Sequence, residues 1–263
     1  NKDLADLIFP NLEHDVEYYE KLYPERNLPE GVYVTRFAPS PTGYMHIGNF
    51  MSTTIDYVLA KNTNGVFYLR NEDTDKAREI SDAVEKIMDT LKEYEMVPDE
   101  YEFNNKIVGN YGPHIQSERI EIYHTFIKKL IEMGRAYPCF CSKESLDELR
   151  KNQEEKKMRT GYYGRYAKCR NLSIEEAITR INNSESYVIR FKSMGNYDKK
   201  FVFDDLVKGR IEFPENDQDT VIMKSDNFLP TYHFAHLVDD HLMHTTHAVR
   251  GEEWLSSVPL HIE

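Results

Sequence analysis

Residues 34–49 read Val-Thr-Arg-Phe-Ala-Pro-Ser-Pro-Thr-Gly-Tyr-Met-His-Ile-Gly-Asn. The stretch opens as a strand and then breaks, because prolines at 39 and 41 remove two backbone donors and bar a continuing central strand. Gly43 turns the chain, and regular structure resumes at about His46. Gly43 and Gly48 also let backbone come close to a ligand. A strand that breaks into a helix N-terminus suits phosphate, since the free N–H groups of the first turn and the helix dipole both favour negative charge there.

Working outward, Val32 to Phe37 predicts the first strand and Asn49 to Asn62 a helix stopped by Asn64-Gly65. A second strand, Val66 to Leu69, runs into Arg70-Asn-Glu-Asp-Thr-Asp75. Strand, helix and strand in forty residues predict a parallel unit of a doubly wound α/β sheet, with the acidic residues at its carboxyl edge beside the turn. Before the first strand, Leu4, Leu7, Ile8, Leu12, Val16 and Tyr19 fall at helical spacing and predict a packing extension over residues 1–30. Amphipathic helices are predicted over 81–94 and 117–133, with a turn-rich loop over 98–113 between them.

From Ala136 the texture changes. All three cysteines, Cys139, Cys141 and Cys169, lie within 31 residues. Cys-x-Cys with a third thiol could hold zinc if Tyr162, Tyr163, Tyr166 or water completed a tetrahedron; three small buried cysteines are the plainer alternative. Residues 143–170 carry nine Lys or Arg against five Asp or Glu, a basic run inside a chain of net charge −12. That overall charge speaks against nonspecific coating of nucleic acid but leaves room for one basic face. Strands predicted at 187–191, 201–203, 211–213 and 221–224 suggest a small, largely antiparallel sheet. An odd cysteine number argues for a reducing compartment, and no apolar run reaches membrane-spanning length.

The last 38 residues hold six of the ten histidines. Their spacing supports a metal-dependent hydrolase with His236, Asp239, Asp240 and His241 as ligands, since steps of three or four share a helix face. A noncatalytic RNA-binding fragment is a further reading of the basic run. A more specific pattern outweighs both.

Thr42 to Asn49 resembles the HIGH motif of class I aminoacyl-tRNA synthetases, and Arg36 to Gly43 is similar to the glutamate-specific branch. Arg70 to Asp75 resembles that branch's Arg-x-Glu-Asp-Thr-Asp string. The tail strings Pro230 to His233, Val238 to Met243 and Val249 to Trp254 resemble the second half of its catalytic domain. The resemblance implies a Rossmann-like catalytic domain with an inserted α+β acceptor-stem-binding domain. The expected divisions are 1–30 extension, 31–112 first catalytic half, 113–222 insertion and 223–263 second catalytic half.

It further implies a cytoplasmic glutamate–tRNA ligase, acting as a monomer on glutamate, ATP with Mg2+ and tRNA(Glu). His46 is the implied catalytic residue. Thr42, Gly43, His46, Gly48, Asn49, Glu253 and Trp254 are implied at ATP, and Arg36, Ala38, Ser40, Glu72, Tyr232, His236 and Arg250 at glutamate. Asp75 is implied at the tRNA end. Zinc on Cys139, Cys141 and Cys169 gains some support, because bacterial members carry a similar Cys-x-Cys. Two departures stand out: His236 occupies a position where some members have asparagine, and Tyr166 stands in place of a cysteine. Glutaminyl-tRNA synthetase and the paralogue that loads glutamate onto queuosine of tRNA(Asp) are the near rivals; Ser40 and Glu72-Asp-Thr-Asp75 favour glutamate over glutamine. The family's KMSKS string is absent from the sequence, so a chain continuing into that loop and an anticodon-binding domain is expected.

Overall fold

The computed structural model describes residues 1–263. Two short helices, α1 (Lys2–Ile8) and α2 (Val16–Leu22), open the chain, and Asp15 caps α2 by accepting from the Tyr18 N–H. Next come β1 (Val34–Phe37), α3 (Ile47–Asn62), β2 (Val66–Leu69) and α4 (Ala83–Glu93). A hairpin of β3 (Tyr101–Phe103) and β4 (Lys106–Val108) occupies part of the stretch expected to be loop. Its turn is Asn104-Asn105, both at positive φ, which substitutes for the Asn-Gly pair that marks such hairpins in sequence.

The chain continues through α5 (Ile120–Glu132), β5 (Ala136–Cys139), α6 (Lys143–Glu155), α7 (Ile174–Asn182), β6 (Val188–Phe191), β7 (Lys200–Asp205), β8 (Gly209–Pro214), β9 (Val221–Met223), α8 (Tyr232–Leu242) and α9 (Val258–Ile262). Serine caps α6 and α7: Ser142 accepts from Ser145 N–H, and Ser173 from Glu176 N–H. No helix is long and apolar enough to cross a membrane.

These elements gather into two compact units. The sheet-turn unit comprises His14–Tyr123 and Phe234–Glu252. In it β1 and β2 pair in parallel, Val34 opposite Val66 through Phe37 opposite Leu69, with α3 as the crossover. Parallel bridges Tyr68–Glu100 and Asn71–Ile115 extend the same direction. Phe37, Phe67, Leu69, Ile87, Met88 and Leu91 form the core beneath. Each such side chain contributes about 1.5–3 kcal/mol of burial free energy. Gly65 is required where α3 returns to β2, because a Cβ there would lie 1.9 Å from the Tyr33 carbonyl oxygen.

The cysteine unit comprises Asn1–Glu13, His124–His233 and Glu253–Glu263. Here the expected single sheet is two structures. β5, β6 and β9 form a three-stranded antiparallel sheet, while β7 and β8 form a separate ribbon. β5 carries Pro138 and gives no period-two signal, so its membership was hidden in the sequence. Along β7 and β8 the side chains are exposed or half-buried and none is fully buried, so the ribbon needs no covering sheet.

Candidate active site

The turn after β1 is stitched to the segment after β2. Phe37 carbonyl accepts from Arg70 N–H at 3.0 Å, Pro39 from Glu72 at 2.9 Å and Pro41 from Ile80 at 2.8 Å. The prolines thus offer acceptors without donors, and the pairing holds Glu72 beside the turn. Within it Ala38 and Thr42 are half-buried, while Ser40 and Gly43 are exposed.

His46 is the N-cap of α3. Its Nδ1 accepts from Gly48 N–H at 3.1 Å and from Asn49 N–H at 3.4 Å. That assigns the proton to Nε2, which remains to donate outward from an exposed ring. Gly48 makes room for the ring, since a Cβ there would stand 3.0 Å from His46 Cε1.

Behind the turn lies a network of buried charge. Asp240, on α8, accepts through Oδ1 from Arg36 Nε at 3.0 Å and Arg70 Nη1 at 2.8 Å. Arg70 also donates to Glu72 Oε1, at 3.0 Å from Nη2. Arg250 donates through Nη2 to His236 Nδ1 at 3.0 Å and lies 3.9 Å from Asp240 Oδ2. Arg36, Glu72, His236 and Arg250 are therefore brought together around Asp240 and Arg70.

Two of these residues use only part of their bonding capacity. Arg36 is 5% exposed, yet it bonds the protein only through Nε, so its Nη1 and Nη2 fork has no protein acceptor. Glu72 accepts only on Oε1, leaving Oε2.

Charge states follow from the surroundings. Burial opposes ionisation of Asp240, but Arg36 and Arg70 outweigh it and hold the carboxyl well below its usual range. Burial raises Glu72, against the pull of Arg70. Burial pushes His236 down to about 4, so its neutral Nδ1 is the acceptor for Arg250. Asp56 of α3, 2% exposed and with Oδ1 unbonded, is raised by burial to about 8.

The metal-hydrolase reading fails on this geometry. Asp239 is saturated by Arg119 Nε at 2.7 Å, Gln116 Nε2 at 2.9 Å and the Tyr123 hydroxyl at 2.8 Å, and Asp240 by guanidiniums. His241 is exposed and bonds Glu20 instead. Asp75 stands at the N-cap position of a 3-10 turn without a side-chain cap bond and pairs with Arg78. Tyr232, Glu253 and Trp254 belong to the cysteine unit, where the Tyr232 and Trp254 rings lie 4.5 Å apart between centroids.

Also in that unit, the three cysteine sulfurs lie within 4.8 Å of one another. Cys141 and Cys169 sulfurs are 3.7 Å apart, and the Tyr162 hydroxyl lies 3.4 Å from Cys139 Sγ and 3.3 Å from Cys141 Sγ. Tyr163 and Tyr166 are bonded elsewhere, to the Arg159 carbonyl and Met158 sulfur. A hydrogen bond from Cys169 favours the Cys139 thiolate and lowers it to about 4; the same bond raises Cys169.

The sequence reading missed Arg70 and Asp240 as the centre of the network. Arg70 was visible as the first residue of a matched string. Asp240 entered the sequence reading only as a ligand of the rival metal site, because its arginine partners, on β1 and just after β2, are 204 and 170 residues away in sequence.

Comparison with known proteins decides the family. Residues 32–263 match the family described as tRNA synthetases class I (E and Q), catalytic domain. The chain belongs to that family. It is 53% identical over 263 residues to the glutamate–tRNA ligase of Acetivibrio thermocellus, covering all of this chain and 48% of that one. The glutamate–tRNA ligase of Clostridium beijerinckii is also 53% identical, over 99% of this chain and 47% of its own length. A crystal structure of a glutamate tRNA ligase from Elizabethkingia meningosepticum in complex with its amino acid superposes with a TM-score of 0.79, at 38% identity over 88% of this chain and 46% of that one. Family members thus share both the sequence motifs and the fold. The chain spans about half the length of the curated relatives it matches.

Proposed function

We propose that the protein carrying this chain is a glutamate–tRNA ligase. Its substrates are glutamate, ATP and tRNA(Glu). The observation that carries the reading is the pairing of an open guanidinium fork on Arg36 with an open carboxylate oxygen on Glu72, both anchored by one buried network. A guanidinium fork receives a carboxylate with two parallel bonds, and a carboxylate oxygen receives an ammonium. Together they fit an amino acid.

Charge supports glutamate over glutamine. Arg36, Arg70, Arg119 and Arg250 face Glu72, Asp239 and Asp240, with Asp56 raised by burial to about 8 and His236 lowered to about 4, so that both are neutral near pH 7. One positive charge is left over. Glutamate carries one net negative charge and glutamine none.

In the reaction the glutamate α-carboxylate attacks the α-phosphorus of ATP, a P–O bond breaks, and pyrophosphate leaves. The ribose hydroxyl at the tRNA end then takes the glutamyl group and releases AMP. Protein groups position and neutralise. His46 Nε2–H donates to phosphate oxygen, with the backbone of Thr42, Gly43, Gly48 and Asn49 around it; Mg2+ supplies charge neutralisation on the phosphates. Ala38 and Ser40 line the glutamate side. Tyr232 for glutamate, Glu253 and Trp254 for nucleotide, and Asp75 for the tRNA end rest on the motif match alone.

Residues 113–222 are proposed as the acceptor-stem-binding insertion, supported by the basic segment that follows α6, where residues 156–170 hold six Lys or Arg and no Asp or Glu. A monomeric, cytoplasmic enzyme is part of the same proposal. Zinc is proposed on Cys139, Cys141 and Cys169 with the Tyr162 hydroxyl as fourth ligand. The fit is geometric: Zn–S bonds of about 2.3 Å set tetrahedral sulfur separations of about 3.8 Å, and the Cys141–Cys169 separation is 3.7 Å. There the ion would fix the loop after β5 to the segment after α6.

Arg36→Ala tests the clamp. Glutamate KM in ATP–pyrophosphate exchange should rise by about 100-fold or more with the ATP KM nearly unchanged. An equal loss for both substrates contradicts the assignment.

A further inference from the structure

Asp240 contacts nothing that the motif match assigns to ATP, yet it holds the clamp together. Arg36 and Arg70 are 5% and 0% exposed, and two buried guanidiniums repel one another. Both converge on the single Oδ1 of Asp240, at 3.0 and 2.8 Å. Thr245 donates to the same oxygen at 3.3 Å, and its Oγ1 shares a 2.6 Å hydrogen bond with the Tyr68 hydroxyl, which accepts in turn from Arg70 Nη1 at 3.3 Å. This closed ring of bonds fixes Arg70 and Asp240 and, through Asp240, one edge of Arg36.

The edge matters. Because Asp240 takes the Nε side of Arg36, the Nη fork is left for a ligand. Its second oxygen, Oδ2, stands 3.9 Å from Arg250 Nη2 and 3.7 Å from His236 Nδ1, so its charge also faces the second arginine implied at glutamate.

We infer that Asp240 is the positioning residue of the amino-acid clamp: its carboxylate orients Arg36 toward the substrate carboxylate and holds Arg36, Arg70 and Arg250 in one site. The inference rests on the proposed glutamate activation and deepens it. Without the charge, Arg36 relieves its repulsion with Arg70 by turning away, and the fork is lost to the ligand. Nucleotide contacts at the α3 N-terminus are untouched.

The test is Asp240→Asn, nearly isosteric but neutral, in the protein as its gene encodes it. ATP–pyrophosphate exchange is measured in the presence of tRNA with glutamate and ATP varied separately, and the thermal midpoint is recorded. Glutamate KM is expected to rise about tenfold or more while the ATP KM and the kcat at saturating glutamate stay within about threefold. Asp240→Glu keeps the charge but moves it by one methylene, and covers the case in which the Asn variant does not fold. It should raise glutamate KM by a smaller factor, again with the ATP KM unchanged. An unchanged glutamate KM in folded Asp240→Asn, or parallel rises for glutamate and ATP in either variant, overturns the positioning role. No glutamate-dependent exchange in the unsubstituted protein overturns the proposed function itself, and this inference with it.

Discussion

His46 shows how one residue serves structure and chemistry through different atoms. Nδ1 caps α3, and Nε2–H is left for phosphate. His46→Ala should therefore cost about 1 kcal/mol in stability from the lost cap and lower exchange kcat by about 10²–10³. His46→Asp restores an acceptor for the helix N–H groups and, as a carboxylate, has no hydrogen to donate outward. Recovery of the denaturation midpoint without recovery of kcat is expected; recovery of both would show that the cap alone matters. Asp56 makes a pH prediction. Its folded value of about 8 lies above the unfolded 3.8, so the folded state binds the proton more tightly. The stability this adds is complete below the unfolded value and is lost as pH rises through about 8. Urea midpoints should fall between about pH 4 and about pH 8, and Asp56→Asn should flatten that fall. An identical fall in the variant assigns it to another group.

At the scale of elements, the β1–turn–α3–β2 unit was legible because local chemistry determines it. Prolines 39 and 41 end the strand, Gly65 is the one residue that fits against the Tyr33 carbonyl, and His46 sits at the helix start. β3 and β4 were not legible, since two asparagines at positive φ replaced the expected glycine signal. The site divided in the same way. Arg36 and Glu72 stand in strings that can be read directly, whereas Asp240 acquires its meaning only when α8 meets the two arginines of β1 and the segment after β2. The cysteine segment supplies its own prediction. Purified protein should contain about one zinc per chain, and Cys141→Ser or Cys169→Ser should lose it along with thermal stability. Metal-free protein with an unchanged midpoint after chelation would leave the thiols as small buried side chains.

Over the whole molecule, the two units divide the labour that the sequence announced. One holds the turn, the helix cap and the arginine network; the other holds the cysteines, the basic segment after α6 and the ribbon. The family match from residue 32 to 263 takes in most of each unit and leaves out only residues 1–31. In the proposed reading, what distinguishes glutamate from its amide is the one positive charge left around Arg36 once Glu72, Asp239 and Asp240 are matched. The measurement that bears on it is ATP–pyrophosphate exchange by the gene-encoded protein with glutamate or glutamine, each with and without tRNA. Exchange with glutamate at a kcat/KM about 100-fold or more above that with glutamine is predicted. Exchange supported by glutamine and not by glutamate would contradict it.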